Sequence, residues 1–253
     1  MAAPLPFAGI DGCRGGWIVA RWDGASDLRL SRITALAELF DGPDAPALAA
    51  IDMPIGLPER IGPGGRAPER LVRPLLGQRQ SSVFSVPSRA AVMAGLGPGE
   101  EAERYRAACA AARATSDPPR AVAKQCFHIF PKIAEVDTLL RARPELADRL
   151  VECHPEVAFW ALNGGAALAL PKKVRNRPSP PGLDLRRGLL AAAGLPVDLL
   201  NEQDARALGA GLDDLIDACA CAWSAKRAAC GKALRFPDPP EQDAFGLPVC
   251  ILA

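Results

Sequence analysis

Gly9-Ile10-Asp11-Gly12-Cys13-Arg14-Gly15-Gly16-Trp17 is the stretch on which the reading of this chain turns. Phe7, Ala8 and Ile10 form an apolar run that reads as a buried strand and delivers a lone carboxylate, Asp11, at its end. The Gly15-Gly16 pair suits a tight hairpin into a second strand, Trp17 to Trp22. Burying an unpaired carboxylate costs several kcal/mol, so Asp11 calls for a cation, a hydrogen-bond donor or a metal. The alternative is a turn aspartate satisfied by neighbouring backbone N–H groups. The pattern then recurs, because Ala47-Leu48-Ala49-Ala50-Ile51-Asp52-Met53-Pro54 again runs an apolar strand into Ile-Asp. Two such strands lying parallel and adjacent, roughly 4.8 Å apart, would let their terminal carboxylates share one ion.

The 253 residues suffice for one sizeable α/β domain carrying an insertion. A formal net charge of +1 exerts no global pull on nucleic acid or membrane, so a polyanion site needs local clustering of the 30 Lys and Arg. No uncharged apolar run approaches the ~18 residues of a membrane span. Met1-Ala2-Ala3-Pro4-Leu5-Pro6 also lacks the basic-then-apolar order of a signal peptide, so a cytoplasmic protein without a membrane partner is expected. The eight cysteines form no C-x-x-C pair and read as small buried hydrophobes. Neither Cys126 with His128 nor Cys153 with His154 has a familiar zinc-framework spacing.

Outward from the first hairpin, Leu28 to Ile33 alternates as the outer strand of a meander, and Thr34 is placed to cap a short helix through Phe40. The segment at about 56–146 reads as an insertion, broken by Pro58, Gly62-Pro63-Gly64-Gly65, Pro68 and Pro74. Helices are expected there at about Glu100 to Arg113 and from Phe127 to Arg141 or Arg143, with His128 as a packed core histidine. Arg60, Arg66, Arg70, Arg73, Arg79 and Arg89 outnumber Glu59 and Glu69, which makes either a basic wall beside the carboxylates or a solvated face. Leu150 to His154 is a third apolar run ending in an acid, with Pro155 as the first residue of a helix reaching about Leu162. Glu156 lies in that first turn, where the helix dipole alone accounts for an acid, so Glu152 is preferred as the functional carboxylate.

Lys172, Lys173, Arg175, Arg177, Arg186 and Arg187 crowd a stretch interrupted by Pro178, Pro180, Pro181 and Gly182. It reads as a flexible basic loop fit to hold a phosphate backbone, or as a merely soluble loop. The last long helix, Gly211 to about Cys230, is apolar all round in its middle, which makes Asp217 a buried acid. Asp214 stands one turn earlier on the same side, and Asp213 enriches the first turn. Phe245 to Ile251 reads as a terminal strand held to an edge by Pro248.

Together the segments GIDGCRGGW, IDMPIGLP, QRQSSVF-x-VP, FHIFPKIAEVD, VECHPEVAF and DDLIDACACAW resemble domain-of-unknown-function family 429 over nearly the whole chain. That family is described as predicted nucleases of RNase H-like fold. The resemblance implies an α/β protein with a mixed sheet, an antiparallel meander followed by parallel strands, flanked by helices. It also implies that the C-terminal helix supplies the last acid. Asp214 to Ala218 is similar to the corresponding helix of RuvC-type Holliday-junction resolvases. Carried over, the metal-binding acids are Asp11, Asp52 and Asp217, with Asp214 and Glu152 as further candidates.

The donor chemistry suits that expectation, because hard Mg²⁺ or Mn²⁺ ions want oxygen ligands and the chain has only two histidines. The expected reaction is hydrolysis of a phosphodiester by two such ions about 3.5–4 Å apart, bridged by Asp11 and completed by Asp52 and Asp217. Glu152 joins the catalytic set, and Asp214 joins the metal ligands. Arg14, Arg79, Lys172, Lys173, Arg175 and Arg187 would contact nucleic acid. Two other classes stay open: a non-catalytic nucleic-acid or partner-binding domain of the same fold, and an actin-like phosphotransferase. The second would need another domain and a Gly-rich adenosine site, and the sequence displays neither.

Overall fold

The computed structural model describes residues 6–253 apart from residue 176, so the reading of residues 1–5 as free of a leader lies outside it. Strand β1 (Phe7–Cys13) pairs antiparallel with β2 (Gly16–Trp22), and β2 with β3 (Leu28–Ile33), completing the expected meander. The tight turn is Arg14-Gly15 rather than Gly15-Gly16, since Cys13 faces Gly16 across the ladder and Gly15 takes φ +72°. Gly16 answers a different need: a Cβ there would collide with the Ile33 carbonyl. Beyond β3, a single 3-10 turn at Leu36–Leu39 replaces the expected helix. Glu38 makes its cap, accepting the Thr34 hydroxyl at 2.6 Å and the Ala35 N–H at 2.8 Å.

Strand β4 (Leu48–Ile51) runs parallel to β1 with Gly9 opposite Ala50 and Ile10 opposite Ile51. The Asp52 N–H continues this ladder by donating to the Ile10 carbonyl at 2.9 Å. Side chains alternate along a strand, so Gly9 and Asp11 share one face with Ala50 and Asp52.

Between β4 and the next sheet strand stand α1 (Ala67–Val72), α2 (Arg89–Ala94), α3 (Glu101–Ala114), α4 (Lys124–His128) and α5 (Phe130–Ala142). Phe130, Ile133, Val136 and Leu140 of α5 pack on the face carrying Ala8, Ile10, Val19 and Ile51. His128 is not in the core. Cys126 and Phe127 take the buried side of α4, which leaves the imidazole exposed and 3.6 Å from Glu101.

The chain then forms β5 (Leu150–Cys153), α6 (Pro155–Leu162), a small hairpin of β6 (Lys173–Val174) and β7 (Arg177–Pro178), α7 (Pro180–Ala192) and α8 (Glu202–Ala207). The expected flexible loop is therefore a hairpin running into a helix. Pro180 and Pro181 fit the first turn, where a missing N–H breaks no bond. Helix α9 (Leu212–Ala229), β8 (Arg235–Gln242) and β9 (Pro248–Leu252) complete the chain.

The sheet order is β3-β2-β1-β4-β5-β9-β8, with β4, β5 and β9 each parallel to its inner neighbour. This mixed sheet is consistent with an RNase H-like arrangement. Strand β9 is an inner strand rather than an edge, because Pro248 stands at its first residue and interrupts no interior bond. The edge belongs to β8, whose RFPDPPEQ sequence carries no strand signal and whose prolines suit an unpaired border. No helix among the described residues is long and apolar enough to cross a membrane.

Helix α9 covers the face opposite α5, packing Leu215, Ile216, Cys219 and Ala222 with Ile18, Ala20 and Ala50. It approaches β1 so closely that a Cβ on Gly9 would collide with the Ala218 carbonyl and the Ala222 nitrogen. Both obstacles are backbone and neither can rotate away. Gly9→Val is expected to lower stability by about 3 kcal/mol or more, the upper end for an overpacked core, read from the midpoint of urea denaturation.

Candidate metal centre

Two parallel strands and one helix deliver three acids to a single point. Asp11, Asp52 and Asp217 each bring one carboxylate oxygen within 4.8 Å of the others, and among the described residues no other group of acids, cysteines and histidines meets in this way. Asp11 on β1 and Asp52, the residue after β4, follow paired Ile10 and Ile51, and Asp217 precedes Ala218, the point where α9 touches Gly9. Burial, then Asp52 and Asp217, holds the Asp11 carboxyl well above the ordinary carboxylate range. Burial also raises Asp52. Asp217, only 1 % exposed, is pushed up to about 6 by burial, against the pull of Lys172.

Among the described residues one lysine bonds the cluster directly, and His154 pulls the Asp52 carboxyl down. Lys172 donates to Asp217 Oδ2. Against the downward pull of burial, Asp217, Asp11 and Asp52 keep its ammonium above the usual lysine range. The other Asp217 oxygen, Oδ1, is buried without a partner. So is Glu156 Oε2, although Glu156 Oε1 accepts from Arg186 at 2.5 Å. Asp52 and Asp217 both feel the Glu156 charge, which raises their pKa values further. The unpartnered Asp217 oxygen and the second Glu156 oxygen give the three carboxylates a donor set that could hold a cation. The hard oxygen chemistry suits Mg²⁺ or Mn²⁺.

Glu152, the acid preferred over Glu156, lines the same cleft but does not join the three acids. It lies opposite Ile51 in the β4–β5 register and so points to the other face of the sheet from Asp52. There Arg66 grips it at 2.6 and 3.1 Å and the Ile55 N–H donates at 2.8 Å. Arg66 also holds Glu69 at 2.7 Å, making a buried structural triad. Asp214 is likewise diverted, since its Oδ2 closes the start of α9 on the Gly211 N–H at 2.9 Å. Asp213 pairs with Lys173 at 2.6 Å.

Three arginines of the supposed basic wall are spent internally. Arg66 is buried in its triad, Arg73 serves the Gly64 and Val83 carbonyls, and Arg89 binds Asp137 and Asp243. Arg186, counted with the basic loop, is wholly buried. Of Arg14, Arg79, Lys172, Lys173, Arg175 and Arg187, only Lys172 lines the cleft that holds Asp11, Asp52 and Glu156. Arg14 sits on the β1–β2 turn, Arg175 is exposed on the small hairpin, and Arg187 pairs with Asp184 at 3.3 Å. Arg79 lies in the 3-10 stretch after α1. The cleft measures about 310 Å³, and Val83, Phe84 and Ile129 give it an apolar wall.

Glu152→Gln is expected to cost about 3 kcal/mol of stability by leaving Arg66 undercompensated, with Mn²⁺ affinity measured calorimetrically unchanged. A second expectation concerns acid. The Asp217 folded-state pKa of about 6 exceeds the unfolded value near 3.9. In chelator the folded chain therefore holds the extra proton between these values, so its stability is full below about pH 4 and is lost as pH rises through about 6. Each such proton contributes a slope of up to about 1.4 kcal/mol per pH unit. Urea midpoints of Asp217→Asn should fall less steeply over that window than those of the native chain.

No curated protein and no solved structure matches the chain. A family does, over residues 9–242, and the segments it spans include all three converging acids. The chain belongs to the family described as Protein of unknown function (DUF429).

Proposed function

We propose that this protein is a metal-dependent nuclease that hydrolyses phosphodiester bonds with Mg²⁺ or Mn²⁺ held by Asp11, Asp52 and Asp217. The observation that carries this reading is the meeting of three carboxylates, Asp11 and Asp217 buried and Asp52 half-buried, within 4.8 Å, with the Lys172 ammonium bonded to one of them. Three acids this close must either hold protons, as their raised pKa values show they do without a metal, or share a cation, and a divalent ion offsets all of them once ionised. A bound ion supplies an activated water and stabilisation of charge on the reacting oxygens. The chain's own residues do the rest. Asp11 stands beside both other acids, the orphaned oxygens of Asp217 and Glu156 offer further ligands or a water acceptor, and Phe84 and Ile129 line the cleft with apolar surface. Lys172 offers a positive charge to a phosphate entering the cleft. Exposed Arg14, Lys173 and Arg175, together with Arg79 and Arg187, are the contacts proposed for the rest of a nucleic-acid strand.

The test uses purified protein with Mg²⁺ or Mn²⁺ and single-strand, duplex, hybrid and branched substrates. Asp11→Asn should reduce cleavage by at least about 100-fold, as loss of a principal electrostatic group does, and should weaken Mn²⁺ binding while the chain stays folded. Unchanged cleavage of all four substrates by the variant overturns the assignment.

A further inference from the structure

We propose that Lys172 is itself the second cation of this centre, so that the carboxylate cluster takes one divalent ion rather than two. The inference rests on the metal-binding reading above and concerns how many ions that site accepts.

Three observations carry it. The first is placement, because Lys172 is not a surface lysine that has folded over by chance. Its carbonyl accepts the Ser179 N–H at 2.9 Å, and the preceding Leu170 carbonyl accepts Arg186 Nη1 at 3.1 Å. The Pro171 carbonyl presses on Gly182 so tightly that no Cβ would fit there. Backbone contacts on both sides of Lys172 thus aim its side chain at Asp217, and the ammonium bonds that carboxylate directly. The second is charge. Asp11, Asp52 and Asp217 offer three negative charges once ionised, which one dication and one ammonium offset fully. Two dications beside the same ammonium would leave two positive charges uncompensated around a carboxylate that is 1 % exposed. Of the neighbouring charges, Glu156, which acts on Asp52 and Asp217, has its own cation in Arg186, and Lys132 is committed to the Gly16 carbonyl and the Trp17 ring. The third is the distribution of free lone pairs. Lys172 occupies Asp217 Oδ2, while Asp217 Oδ1 and Glu156 Oε2 remain buried and unpartnered. One side of the cluster is therefore filled by the ammonium and the other is left for an ion.

The experiment counts ions on the full chain, by calorimetric titration with Mn²⁺ and by electron paramagnetic resonance at saturation. The native chain should bind one Mn²⁺ with an uncoupled, mononuclear spectrum. Lys172→Met should bind two, with the spectrum of a spin-coupled pair, and Lys172→Arg, which keeps the charge, should return to one. Two coupled ions in the native chain overturn the inference and leave the metal-binding reading standing. A single ion in Lys172→Met with native affinity also overturns it. If that variant does not fold, Lys172→Gln and the native count carry the same decision. Absence of any Mn²⁺ binding in the native chain overturns both this inference and the reading beneath it.

Discussion

Helix α9 meets strand β1 backbone to backbone, with no side chain between them at Gly9. The rest of the centre depends on that approach. Gly9 lies two residues before Asp11 on the same face, and Ala218, which touches it, follows Asp217 directly. Removing one Cβ from the interface therefore lowers a carboxylate on the helix onto two carboxylates on the sheet. The helix cooperates by being small where it lies against its neighbours, through Ala218, Cys219, Ala220, Cys221 and Ala222. Close packing here raises the electrostatic cost of the cluster, and Lys172 offsets only part of it.

The molecule treats its other buried acids differently. Glu152 and Glu69 share Arg66, and Asp137 and Asp243 share Arg89. Glu135 accepts from the Trp17 indole at 3.1 Å and from the Leu36 N–H at 2.6 Å. Each of these pins the helices between β4 and β5 to the sheet. A buried charge that is fully bonded gives geometry rather than reactivity, because breaking it costs more than making it gained. Asp217 and Glu156 break that rule, each keeping one oxygen idle. The contrast separates structural acids from a site within one fold.

Much of this could be read along the chain, and the failures share a cause. An apolar run that ends in an acid located Asp11 and Asp52, and an acid in a helix buried all round located Asp217, since local periodicity reports burial. Glu152 met the same local criterion. What removes it is the β4–β5 register, which sets the face a strand residue occupies and is a property of pairing, not of sequence pattern. Glu156 was set aside because a first-turn acid has a ready explanation in the helix dipole, and only its idle oxygen shows that the dipole is not the whole account. Arg66 and Arg186 looked like members of solvated basic runs, because their partners lie far along the chain. Strand β8 went unread for the converse reason: three prolines forbid an inner strand and do not forbid a border.

Neighbouring strands of the sheet are not consecutive in the chain at two places, β1 beside β4 and β5 beside β9. Strand β9, made after everything else described here, lies between β5 and β8, and α9 is made only shortly before it. A nascent chain emerging from the ribosome can close the β1–β2–β3 meander early, because those contacts are local. The three acids, by contrast, remain apart until translation has passed α9, and their convergence is among the last and most non-local events of folding. The growing polypeptide thus carries no assembled centre until α9 has been made.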